Sequence, residues 1–88
     1  MKNTLKVNVR ASHIARGERE QCETCPIALA IRAITRRRAQ VSDLIEVDTQ
    51  PGMTHRFYTM PKKAHKFIAR FDAGRTVRPF TFVAREQR

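Results

Sequence analysis

The sequence predicts an α+β fold: a four-stranded antiparallel sheet with two helices on one face, in the ferredoxin-like order strand, helix, strand, strand, helix, strand. Three observations carry this expectation. Two stretches repeat apolar residues at i, i+3, i+4 and i+7, the period of a helix that buries one face: Ile27, Ala30, Ile31 and Ile34, then Ala64, Phe67, Ile68 and Phe71. Other stretches alternate apolar and polar residues with the period of two expected of a half-buried strand. Proline and glycine fall at the joints between these segments.

In chain order, "TLKVNVR" at residues 4–10 turns Leu5, Val7 and Val9 to one side, which makes it the first strand. Ser12 reads as the cap of a short helical turn, "HIAR", closed by Gly17, and the polar "ERE" behind it as loop. Pro26 suits the first turn of a helix, where its missing N–H costs nothing. Arg36, Arg37 and Arg38 place positive charge at the end of that helix, where the dipole favours it. Residues 41–48, "VSDLIEVD", read as the second strand with Ile45 and Val47 facing in, although Leu44 breaks the alternation. Pro51 and Gly52 suit a type II turn into the third strand, residues 54–60. Pro61 starts the second long helix and Gly74 ends it in the left-handed conformation. "RTVRPFTFVAR" is the last strand, with Pro79 at its start or on a sheet edge.

Eighty-eight residues form a single domain, residues 1–88, and a hydrophobic fraction of 41% is enough for a core. A core of this size stabilises only modestly, so a homo-oligomer is expected. No apolar run approaches the roughly 18–20 residues of a membrane span, and the start of the chain lacks the apolar block of a signal peptide. The expectation is a cytoplasmic protein with no membrane partner.

Eighteen Lys and Arg against eight Asp and Glu give a net charge of +10, beyond the magnitude of about 2–8 that keeps a small domain soluble. Such a surplus points to an anionic partner: nucleic acid, a nucleotide or the acidic face of a protein. The cations also cluster. Lys63, Lys66 and Arg70 fall at i, i+3 and i+7 on the second helix, opposite its apolar face, while Arg36, Arg37 and Arg38 end the first. Arg75, Arg78, Arg85 and Arg88 accompany the last strand. Lys63, Lys66, Arg70 and the arginines at 36–38 are therefore the candidate phosphate ligands. Stacking platforms for bases come from Phe57 or Tyr58 and from Phe80 or Phe82, with Tyr58 leading because its hydroxyl tolerates exposure.

Cys22 and Cys25 have the spacing of a zinc knuckle or a redox pair. Zinc needs four ligands, and none of His13, His55 or His65 completes a second pair. A redox thiol would gain from a helix N-terminus but lose from Glu18, Glu20 and Glu23 close by. Cys25 is expected instead to be a small buried side chain at a helix start, with no metal and no cofactor. Nucleotide-binding, zincin and serine-hydrolase motifs are missing. The lone histidines show no catalytic arrangement, and Asp43, Glu46 and Asp48, which alternate imperfectly along a strand, are explained at lower cost by pairing with the excess arginines than by a carboxylate site, so an enzyme is not expected.

The stretches "HIARGEREQCETCPIALAI" and "FYTMPKKAHKFIARFDAGRTVRPFTF" resemble a group of short proteins encoded by bacteriophages and prophages. The likeness covers nearly the whole chain. It implies an accessory role in a host cell, binding and blocking host components or sequestering host signals, and assigns no functional residue. Three functions follow as expectations. The first is a non-enzymatic protein that holds a nucleic acid or nucleotide on its basic surface or in a pocket between subunits. The second is an inhibitor that blocks a host protein complex, such as a defence system or polymerase. The third is a small zinc or redox protein.

Overall fold

The computed structural model describes residues 4–50 and 54–87. Alternation over the first strand holds: β1 (Thr4–Val9) buries Val7 and Val9 and leaves Thr4 and Lys6 in solvent. A short helix, α1 (Ala11–Arg16), and a loop lead to α2 (Pro26–Thr35). Then follow β2 (Ala39–Val41), β3 (Leu44–Gln50), β4 (Thr54–Thr59), α3 (Lys62–Asp72) and β5 (Phe80–Glu86). No helix among the described residues is long and apolar enough to cross a membrane.

The α+β class and the antiparallel sheet are as expected, but the topology is not ferredoxin-like. A ferredoxin-like sheet carries its first strand in the interior. Here the order is β1-β5-β4-β3-β2, every neighbour antiparallel, so β1 and β2 are the two edges and β5 lies between β1 and β4. One cause is local. Ser42 and Asp43 turn the chain inside the stretch expected as a single strand, pairing Val41 with Ile45. Leu44 breaks the alternation because the chain reverses there. The other is that β5 enters between β1 and β4 and leaves β1 at the edge, with α2 packed on both β1 and β2.

That placement makes α2 the centre of the molecule. It packs on β1 along one side and on β2 along the other, with the sheet curled around it. Ile27, Ala28, Ala30 and Ile31 are buried in a single cluster with the inward residues of all five strands. Ile34, expected on the same face, is 47% exposed at the helix end. The second helix joins this cluster through Ala64, Phe67 and Phe71. No charged side chain is buried among the described residues, so charge pairing contributes little to the interior.

The helix ends show which residues set the turns. Pro26 is the first residue of α2, and the Sγ of Cys25 accepts a hydrogen bond from the Ala28 amide at 3.4 Å. Gly17 closes α1 as expected, its N–H donating to the His13 carbonyl, with an extended backbone at φ −70°. Its need is space, since a Cβ there would lie 2.6 Å from Cδ and Cγ of Pro26. Arg36 takes the left-handed position after α2, with φ 59°. The end of α3 is a Schellman motif: Gly74 at φ 79° donates its N–H to the Phe71 carbonyl, and Arg75 donates to that of Arg70. Pro79 directly precedes β5, an internal strand, and the Pro51–Gly52 turn lies outside the described residues.

Two substitutions should move stability in opposite directions. Gly17→Ala forces a methyl against Pro26 and is expected to cost about 1–3 kcal/mol, as overpacking does. Arg36→Gly relieves a left-handed non-glycine residue and is expected to stabilise by about 1 kcal/mol. At about 4–8 °C per kcal/mol for a domain of this size, calorimetry resolves both.

Candidate anion-binding groove

An amphipathic helix that packs Ala64, Phe67 and Phe71 inward must present the positions between them to solvent. Lys63, Lys66 and Arg70 accordingly stand exposed on α3. The Schellman turn at Gly74 then reverses the chain, so residues 75–79 return along the helix before β5 begins. The two segments flank an open groove of about 370 Å³. Lys63, Lys66 and Arg70 form one wall, and Thr76, Val77, Arg78 and Pro79 form the other. Phe67 and Phe80 form its floor.

The floor is the outer end of an aromatic stack. Phe80 lies 4.7 Å from Phe67 between ring centroids and 5.5 Å from Phe82, with interplanar angles of 29° and 23°. Phe82 is only 2% exposed, so the stack is anchored in the core. Offset aromatic pairs at such separations hold their relative geometry and stabilise by about 0.5–1.5 kcal/mol beyond area burial. The groove therefore combines four cations, no carboxylate and a rigid apolar base.

The other expected site residues lie elsewhere. Arg36, Arg37 and Arg38 are exposed between α2 and the edge strand β2, outside the groove lining. There, Nη2 of Arg38 donates to Oε1 of Glu23 at 2.9 Å. Tyr58 does not serve as a stacking platform. It lies opposite Ile45 on the inner side of the sheet and is 7% exposed. Met60, buried two residues on, marks the same inward parity. The exposed aromatic of β4 is Phe57, which sits over a depression lined also by Cys22, Asp43 and Glu46. Carboxylates at its rim make that depression unfavourable to phosphate. Of the expected aromatic candidates, Phe80 is the one that lines the basic groove.

Val77, Pro79 and the groove-facing part of Phe67 were not among the expected site residues, and Arg78 was assigned only to the neighbourhood of the last strand. The signal for them was Gly74, because a helix that ends in a left-handed glycine sends the following residues back along its own side.

The side chains of Cys25 and His13 make structural contacts at helix starts. Cys25 is buried, and burial pushes its thiol above the usual range against the opposing pull of the Ala28 and Ile27 amides. Cys22 is exposed, and its carbonyl accepts from the Val41 amide at 2.9 Å, tying the loop to β2. Among the described residues, no group of three or more His, Cys, Asp or Glu could hold a metal ion. Nδ1 of His13 accepts from the Arg10 amide at 3.0 Å, closing the first turn of α1. Partial burial, followed by the charges of Arg10 and Arg16, holds His13 below its ordinary 6.5. His65 is exposed on α3, and the His55 side chain lies outside the described residues. Comparison with known proteins finds no matching family model, curated protein or solved structure.

These environments predict distinct chemistry. An aromatic disulfide reagent should modify Cys22 rapidly in the native protein and Cys25 only after unfolding, in a ratio read by peptide mass spectrometry. His13 binds its proton more weakly when folded, so the cap's contribution is complete above 6.5 and is lost as pH falls through the lower folded value. Amide exchange at Arg10 should rise over that acidic window, and His13→Gln should abolish the dependence.

Proposed function

We propose that this chain is a non-enzymatic accessory protein of the bacteriophage type its sequence resembles, and that it binds a phosphate-bearing ligand, nucleic acid or nucleotide, in the groove between α3 and residues 76–80. The observation that carries this is the convergence of Lys63, Lys66, Arg70 and Arg78 on one groove without an acidic neighbour in its lining. A net charge of +10 adds a long-range attraction that speeds encounter with any polyanion. The arginines at 36–38 contribute to that field and lie outside the contact surface.

Phosphate contacts by exposed cations release counterions, and binding weakens with salt accordingly. For a single strand the slope of log K against log salt is about −0.7 per phosphate neutralised, so three to four contacts give roughly −2 to −3. Fluorescence anisotropy with labelled oligonucleotides measures it directly. Lys66→Glu should weaken binding by about tenfold or more and flatten the slope, because it reverses one contact and repels the next phosphate. Arg37→Glu, outside the groove, should change affinity less than threefold. Both side chains are exposed, so circular dichroism should show either variant folded. Lys66→Glu binding as well as the parent would sink the assignment of the groove. Native mass spectrometry of the complex reads the stoichiometry and whether a homo-oligomer carries the site.

A further inference from the structure

We infer that the groove takes one unstacked nucleotide of a single-stranded nucleic acid, with its base on Phe80 at the floor, against Val77 and Pro79 of the adjoining wall, and its flanking phosphates along α3. This rests on the groove being the anion site proposed above, and adds which form of nucleic acid it accepts.

Three features lead to the strand. First, the base seat is apolar and partly aromatic: Phe80 on the floor and Val77 on the adjoining wall are half-buried, and both line the groove with the surface left exposed. A phosphate gains nothing from such a surface, whereas every nucleobase has a face that stacks on it. Second, about 370 Å³ lies at the small end of the roughly 300–1,000 Å³ typical of ligand sites, room for one nucleotide rather than a helix. In a duplex the base faces are already stacked on one another and are not free to stack on a protein ring. Third, the cations flank the floor. Phe67 lies between Lys63 and Arg70 in the helix, which are about 10 Å apart along its axis. Phe80 stacks on Phe67. A base seated at the centre with phosphates at both ends of the row requires a chain that continues on both sides of that base. A strand has this and a mononucleotide lacks it.

The experiment uses the full chain and four labelled or competing probes: a short oligothymidylate or oligouridylate, the same strand carrying abasic sites, a duplex of equal length, and a mononucleotide. The expected result is that the intact single strand binds at least tenfold more tightly than each of the other three. Phe80→Leu, which keeps the floor apolar and removes the ring, should weaken the intact strand about fivefold or more while leaving the abasic strand unchanged. Equal binding of abasic strand, duplex or mononucleotide, all weakened by Lys66→Glu, would overturn the base-seating inference and leave the anion groove intact. Absence of binding by every probe, or indifference to Lys66→Glu, would overturn both. The abasic comparison alters only the ligand, so it decides the matter even if Phe80→Leu fails to fold.

Discussion

The structure depends on one packing arrangement, the seating of α2 between the two edge strands of a curled sheet. Edge strands present unpaired backbone groups and invite association, so small proteins must cover or shorten them. Here one helix packs on β1 and β2, which are at opposite ends of the strand order. Ile27 and Ile31 are fully buried in this position, and Cys25 with Pro26 sets where the helix begins. Gly17 lets the preceding loop pass close to Pro26, and the bond from Val41 to the Cys22 carbonyl ties that loop to the far edge. A change at any of these joints shifts the helix against both edges together.

The location of charge follows from that core. With α2 and α3 packed against the inner face and no ionised side chain buried among the described residues, the cations must occupy the outside. Their distribution is uneven for topological reasons. The chain reversal after α3 places Arg78 opposite Lys63, Lys66 and Arg70, whereas the turn between β2 and β3 gathers Asp43 and Glu46 beside Phe57. Among the described residues, these two aromatic-bearing depressions have opposite electrostatic character. The acidic one has no counterpart in the total charge of the chain.

Much of this was legible in local patterns. The periodicities of α2 and α3 match their buried faces, apart from Ile34 at a helix terminus, and Gly74 is left-handed as its place after α3 implies. The Lys63, Lys66 and Arg70 stripe was visible because helical spacing alone puts those residues on one face. Tyr58 was misplaced because either parity of the alternation in "HRFYTM" offers an aromatic residue to solvent. Only pairing with Ile45 decides which ring turns inward. The split of residues 41–48 was obscured by apolar residues on both sides of the Ser42–Asp43 turn.

The sequence alone determined the class of fold, the helix faces and the sign of the surface, because these depend on spacing over a few residues and on composition. The strand order, the edge position of β1 and the partnership of Arg78 and Phe80 with the α3 stripe were decided by tertiary structure. They join residues far apart in the chain, through one helix that must cover two strand edges and one glycine turn that folds the chain back on itself. Local periodicity carries no information about which distant surface a buried face will meet.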